Sequence, residues 1–375
     1  MALDPDLPEP VFIDTDPEKV RSELIAQYEL DSGKPLFPAQ DEMLFINIMA
    51  YRESLIRQGI QNAAKQNLLK YSRAPMLDYL GDLVGVYRLS AGYATTTLRF
   101  TLDAARAVDT TVPMGTRVSA TDSLMFATRA DATIKAGSLS VDSLAVCMDA
   151  GILGNGWQPA NISTLLDDIT DGTFDVQVSN TTVSSNGSEQ EDDDHLRERI
   201  QLAPESFSNA GSIGAYRFHA MSAHPDIVDV DVSTPVAGTV KLTPLMRTGL
   251  PDQSILDLVL AVCSDEKVRP LTDTVTASIP VKKDYAITAQ LELFTGQNAD
   301  SVKQQAEEAA AAFRDKYSAR LGLDIVLKEL SKVLKVSGVY DLEISSPAAN
   351  TVVAAAEWAH CTGISVSIKG STNNG

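Results

Sequence analysis

The stretch GSEQEDDDHLRERIQLAPESFSNAGSIGAY, residues 187–216, separates two parts of the chain with different patterns. The residues before it are typical of helices and then short strands, and the residues after it are typical of two helix-and-strand units. Acidic residues at 189–194 precede a helix predicted over 195–202, where carboxylates stabilise the positive end of the helix dipole. Because proline cannot continue a helix, we expect a break at Pro204 and a new helix from about Ser212.

The same acidic run could instead hold a metal ion. Its four consecutive acids at 191–194 point in different directions, whereas a calcium loop alternates its ligands and has a glycine at a fixed place, which is absent here. We favour a solvated helix start and predict no metal and no cofactor. A hydrolase with an acidic metal site around residues 192–194 stays open as an alternative.

The composition predicts a soluble protein of several domains. A chain of 375 residues suggests two to four domains. Its 31 basic and 50 acidic residues give a net charge of −19, which argues against a nucleic-acid partner and against an anionic membrane surface. Without a run of about 18 apolar residues or a signal peptide, the chain is expected to be synthesised in the cytoplasm of its host.

The N-terminal region is predicted to be an extended arm followed by helices. Asp16 and Pro17 are helix-start residues, and that helix is expected to run to about residue 30. The longest helical pattern covers roughly residues 40–72, and a third helix is predicted at 76–86. The candidate contact face of the long helix consists of apolar residues at helical spacing, namely Leu44, Ile48, Tyr51 and Leu55. It is widened by Phe45, Ile46, Met49 and Ile56. Either this face packs inside a bundle with the flanking helices, or it packs against another chain.

The predicted fold class is a multidomain α+β protein. A Thr- and Gly-rich region gives short strands, and two later regions each combine helices with strands in a ferredoxin-like manner. Residues 283–294 are predicted as the last strand of the first of these two units. The predicted parts are an N-terminal arm and helical bundle at 1–90, a β-rich domain at 91–188, a connecting helix and loop at 189–216, a first α/β unit at 217–296 and a second at 297–375.

No recognisable catalytic set is present in the sequence. The four histidines lack the spacing of a metalloprotease helix, and the glycine-rich segment at 151–156 lacks the Lys-Ser/Thr of a phosphate loop. There is no G-x-S-x-G nucleophile elbow. The three cysteines are far apart, which argues against a disulfide scaffold or a zinc ribbon. The chain is therefore predicted not to be an enzyme.

The central stretch resembles the baseplate J-like family of contractile-tailed phages and related contractile injection systems. The resemblance lies in an E-x-D-D-x-L-R-x-R pattern followed by Pro, Ser, A-G and A-Y. The matching residues are Glu191, Asp193, Asp194, Leu196, Arg197, Arg199, Pro204, Ser208, Ala210, Gly211, Ala215 and Tyr216. LDYLGDLVGVYR at residues 77–88 is similar to a second family stretch, although Gly81 replaces the usual alanine.

This resemblance implies a structural protein of the tail baseplate in the virion. Copies of such a protein pair with one another and join a different chain in a wedge, and the wedges ring the tail hub and couple to sheath contraction. The helical N-terminal part would then form a shared bundle, and the C-terminal α/β units would make ring contacts. The alternative is a receptor- or glycan-binding tail module built on the β-rich domain.

Overall fold

The structure, a computed structural model, describes residues 7–121, 124–169, 174–207 and 211–372. Within these ranges it contains eight α-helices and fourteen strands, so the predicted combination of helices and strands is confirmed at that level. The chain divides into two compact units. The first comprises the residues up to Arg88 together with Asp193–Pro204, and the second comprises Leu89–Asp192 and the residues from Glu205 onward.

The first unit is helical. Its helices are α1 (Pro17–Ser32), α2 (Asp41–Lys65), α3 (Met76–Asp82) and most of α4 (Asp193–Ser206). As the sequence predicts, the Asp16 side chain caps α1, and Gly33 ends it in a left-handed conformation with φ of 68°.

Three helix boundaries differ from the sequence prediction. Helix α3 ends at Asp82, short of the predicted residue 86. Helix α2 ends at Lys65, and the chain then forms turns up to Ser72, so the predicted end is wrong. Pro204 lies inside α4, which ends at Ser206. Because Pro204 lies in the last turn of α4, the lost hydrogen bond and the clash of the proline ring affect only the end of the helix.

The second unit begins with a six-stranded antiparallel sheet. Its order is β7-β3-β4-β6-β1-β8, and β2 pairs with β5 outside it. The strands are β1 (Tyr93–Leu102), β2 (Thr110–Val112), β3 (Arg117–Thr121), β4 (Leu124–Thr128), β5 (Ala132–Ile134), β6 (Ser140–Ala150), β7 (Thr164–Leu165) and β8 (Val176–Asn180). The two edges approach each other, since the Asn180 backbone N–H donates to Ile162 O at 3.1 Å and Asn180 Oδ1 accepts from Ile162 N at 2.9 Å. The sheet is therefore nearly closed around a core that includes Leu98, Phe100 and Phe126.

A central domain, residues 211–278, follows the barrel-like sheet. Its elements are α5 (Ile213–Met221), β9 (Ile227–Val236), β10 (Thr239–Met246), α6 (Gln253–Cys263) and β11 (Thr274–Ala277). The strand order is β11-β10-β9, with β9 antiparallel and β11 parallel to β10.

A C-terminal domain, residues 281–372, has its own three-stranded sheet. Its elements are β12 (Val281–Phe294), α7 (Ala299–Ser318), α8 (Leu327–Leu334), β13 (Val339–Ser346) and β14 (Glu357–Thr372). The order is β13-β12-β14, with β13 antiparallel and β14 parallel to β12. The assignment of residues 283–294 to the first α/β unit is therefore wrong, because this strand is the centre of the C-terminal sheet. The five-part domain division and the ferredoxin-like topology stay predictions.

A buried carboxylate joins the central and C-terminal domains. Asp229 on β9 is 5% exposed, and its Oδ2 accepts a hydrogen bond of 2.8 Å from the backbone N–H of Leu321. Its Oδ1 accepts from Val230 N at 2.9 Å and forms an ion pair with Arg217 on α5. Because a buried charge needs both a counter-ion and hydrogen-bond donors, this arrangement fixes Leu321 against β9.

Candidate functional site

The candidate contact face on α2 is exposed in the chain by itself. Leu44, Ile48, Tyr51 and Leu55 are 63%, 52%, 65% and 47% exposed. Their spacing of four, three and four residues places them in one stripe along the helix. We call this the first stripe.

A second apolar stripe lies on another side of α2. It consists of Phe45, Met49, Ile56 and Ile60, which are 67%, 58%, 61% and 49% exposed. With 3.6 residues per turn, the two stripes lie roughly 120° apart around the helix axis. Phe45, Met49 and Ile56 therefore form a separate direction and do not widen the first stripe as predicted, a distinction that the same spacing rule contains.

The third side of α2 packs inside the helical unit. Met43, Ile46 and Ala50 are buried there, and Met43 and Ile46 form a small core with Leu36. Open grooves flank the contact between α1 and α2. One of about 410 Å³ is lined in part by Leu24 and Tyr28. Helix α2 is thus apolar in three directions, with α1 covering one of them.

A buried glutamine ties the N-terminal arm to α2. The Gln61 side chain accepts hydrogen bonds at Oε1 from the backbone N–H groups of Phe12 at 2.8 Å and Ile13 at 3.3 Å. Its Nε2 donates to Pro10 O at 2.7 Å. Gln61 is 8% exposed, so its polar atoms are satisfied by the arm rather than by bulk water. No local sequence signal indicated this contact.

Part of the acidic motif stabilises the helical unit. Asp193 accepts a hydrogen bond of 2.7 Å from Arg88 and one of 3.2 Å from Ala74 N. Asp78 holds the same guanidinium through bonds of 2.8 and 3.1 Å. Arg88 hydrogen-bonding lowers the pKa of the Asp78 carboxyl. Two separate stretches quoted for the family resemblance therefore meet at one guanidinium.

The motif arginines bind backbone carbonyls of the same unit. Arg197 donates to Leu69 O and to Ser72 O, each at 2.8 Å, and Arg199 donates to Tyr87 O at 3.1 Å. A planar guanidinium with several donors is suited to holding irregular backbone in this way. The arginines thus stabilise the turns that follow α2 and α3.

Gly81 fits a site with no room for a side chain. A Cβ atom at this position would lie 2.5 Å from Val86 O and 3.3 Å from Ile200 Cδ1. The backbone here is closer than a Cβ permits, so the departure from the usual alanine has a steric reason in this chain.

Three further motif residues, Glu191, Gly211 and Tyr216, lie in the second unit. Glu191 is 3% exposed, and its carboxylate accepts from Leu89 N at 2.8 Å while its own N–H donates to Leu89 O at 3.1 Å. Gly211 has φ of 74°, and a Cβ there would lie 2.9 Å from Pro270 Cγ. The Tyr216 hydroxyl donates to Asp273 at 2.9 Å, and burial, together with this bond, raises the pKa of Tyr216.

The acidic run does not converge on one point. Asp192 forms an ion pair of 2.6 Å with Arg247, Asp193 pairs with Arg88, and Asp194 pairs with Arg197. Across the part of the chain that the structure describes, no group of three or more His, Cys, Asp or Glu side chains could hold a metal ion. Leu196 is fully buried and Pro204 lies in α4, whereas Ser208 and Ala210 lie outside the described residues.

None of the helices in the described ranges has the length and apolar character to cross a membrane.

Comparison with known proteins identifies the family. Four models of baseplate J-like domains match in order along the chain. They are the N-terminal domain at residues 43–95, the barrel domain at 97–187, the central domain at 208–278 and the C-terminal domain at 285–367.

Two individual proteins are similar to the chain. Baseplate protein J of Escherichia phage P2 is 32% identical over 184 residues, which are 48% of this chain and 61% of that protein. The chain thus aligns with less than two thirds of that relative. A chain in the cryo-EM structure of the anti-feeding prophage baseplate, six-fold symmetrised, superimposes with a TM-score of 0.41 and 15% identity over 92% of this chain and 90% of that one. On the four domain matches and the phage P2 relative, the chain belongs to the baseplate J-like family of tail baseplate structural proteins.

Proposed function

We propose that the chain is a structural component of a baseplate wedge. In this role it assembles with copies of itself and with other wedge proteins around the tail hub, and it couples indirectly to the hub and the contracting sheath. The proposal rests on family membership and on one observation, that α2 carries apolar side chains in three directions while α1 covers one. The role is structural and requires no catalytic group.

The energetics favour a covered α2. Contiguous exposed apolar side chains mark contact surfaces, and complete burial of a large apolar side chain contributes about 1.5–3 kcal/mol. The two stripes of four residues are each about half to two-thirds exposed. Covering both would therefore contribute on the order of 10 kcal/mol before the entropy of association is subtracted.

The geometry favours helices as the covering elements. Each stripe is narrow and follows helical spacing, as in coiled-coil and bundle contacts. We assign one additional helix from another chain to each stripe, so α2 becomes the shared centre of a bundle. Packing between the helices of this chain accounts for the buried third side of α2 but leaves both stripes uncovered. The C-terminal α/β region then remains available for contacts around the ring.

Coexpression with the product of the neighbouring reading frame tests the proposal. Light scattering after size exclusion should give a defined complex with more than one copy of this chain. I48E/L55E on the first stripe and M49E/I56E on the second should each reduce the mass of the complex.

Q158E/N161E is the control, because it adds the same two charges at exposed polar positions of the second unit, outside α2. It should leave the complex intact. The proposal is wrong if all three variants assemble like the wild type, or if the wild-type chain stays monomeric with its neighbour present.

A further inference from the structure

Strand β14 has an uncovered edge. It spans 16 residues, Glu357–Thr372, and pairs through one edge with β12. At its start the other edge meets Leu321 in a short antiparallel bridge with Trp358. Beyond that bridge, no element in the described residues pairs with the outer edge. An edge strand with free backbone groups is a template for another strand.

The usual protection of an edge is missing from the middle of β14. Natural edges are guarded by charges, prolines or bulges. The bulges of β14 lie at either end of residues 364–368, where the register with β12 is regular. This segment contains neither charge nor proline. The nearby Lys369 extends across the sheet towards Glu343 on β13, with Nζ and Oε2 3.9 Å apart, and so does not guard the edge.

The unguarded segment is a palindrome. Residues 364–368 read ISVSI, symmetric about Val366. Val366 is buried, and Ile364 and Ile368 pack against the same core on the α7 side of the sheet. Ser365 and Ser367 are exposed on the opposite face. The sequence and the burial pattern are therefore both unchanged when the strand is reversed.

We infer that β14 pairs antiparallel with β14 of a second copy of this chain, about a twofold axis at Val366. In that register each isoleucine faces the other isoleucine of the partner strand, and Ser365 faces Ser367. Directly opposite residues in an antiparallel pair lie on the same face, so apolar side chains meet on the core side and hydroxyls on the open side. The result is a continuous six-stranded sheet across two copies.

Charge placement is compatible with this register. Lys369 faces Gly363 of the second copy, so no like charges oppose each other. A Cβ built on Gly363 has no atom within 4 Å, which leaves space for the lysine stem. The inference deepens the proposed function, since it specifies one contact through which copies of the chain associate, and it rests on that function for its place in a baseplate.

Cysteine pairing tests the register. In a C361S background, S365C and S367C are made in separately tagged full-length chains. Because position 365 faces position 367, mild oxidation should join the two chains in the mixture, and neither variant alone should form the bond efficiently. Failure of the mixture to cross-link at protein concentrations where association is seen would overturn the inference. The bond reports β14 pairing directly, so it is read independently of contacts made by α2.

A charge exchange provides the second test. S365K/S367K places lysine opposite lysine twice and should weaken association by about tenfold or more. S365K/S367E places lysine opposite glutamate at the same two positions and should restore it to within about twofold of the wild type. Light scattering over a concentration series measures both, and matching circular dichroism melts verify folding. Equal masses for the two variants would refute the strand pairing, whereas α2 variants that assemble like the wild type would refute only the helical proposal.

Discussion

Replacing Asp229 with alanine should loosen the joint between the central and C-terminal domains. The change removes the carboxylate paired with Arg217 and leaves Leu321 N–H without its acceptor. Breaking a buried ion pair by removing one partner costs about 3–5 kcal/mol. The Arg217 side chain is 26% exposed, and water can reach it, so we expect the lower end, about 3 kcal/mol.

Thermal unfolding followed by circular dichroism measures this change. For a folded unit of about 150–250 residues, a loss of about 3 kcal/mol lowers the unfolding temperature by roughly 6–12 °C. D341A removes the same side chain at an exposed position of β13 and should melt within about 1 °C of the wild type. Limited proteolysis should cut D229A first near Leu321. If D229A and D341A melted together, the idea that Asp229 holds the two domains would be refuted.

Three further predictions concern single side chains. G81A should destabilise the helical unit because the added Cβ would meet Val86 O. G59A, at an open position of α2, should stabilise the unit by about 0.5–1 kcal/mol. Urea unfolding compares the two variants, and equal effects would contradict the steric argument. Q61A should release the N-terminal arm, so that hydrogen exchange of the arm amides accelerates while exchange within α2 changes little. Unchanged exchange rates of the arm amides would show that Gln61 does not hold the arm. Burial, with a contribution from a neighbouring carboxylate, raises the pKa of Asp231 in the folded protein. The ionised carboxylate therefore destabilises the folded state above the folded-state pKa, and this destabilisation is absent below the unfolded-state pKa. D231N should raise the melting temperature at pH 7 but not at pH 3, and a gain that did not depend on pH would contradict this origin.

Local chemistry made the helix starts predictable. Asp16 and Pro17 set the start of α1 through capping and a fixed backbone angle, and both act within one turn. The end of α2 was not predictable in the same way. The residues after Lys65 form turns whose carbonyls bind Arg197, a residue far away in sequence. A single-sequence pattern contains no information about such a distant donor.

The strand partners in each sheet, and the sides of α2 on which apolar residues lie, were determined only from the three-dimensional structure. The strand at 283–294 was recognisable by its composition, but its partners β13 and β14 lie far along the chain. The first stripe on α2 was predicted, and its residues are exposed; its role as a contact face stays a proposal. The role of the acidic motif was hidden because Glu191 and Asp193 act on Leu89 and Arg88.

The helical unit is built from two separate segments of the chain, which affects how the protein folds during synthesis. Residues 193–204 belong to this unit, and Leu196 and Ile200 are buried within it. A ribosome completes the whole barrel-like region before it makes these residues. Helices α1 to α3 therefore spend that interval without α4, and the surface of α3 at Gly81, which lies next to Ile200 in the finished chain, stays uncovered. We expect nascent chains stalled before residue 193 to bind chaperones that recognise apolar surface more strongly than chains stalled well beyond residue 204.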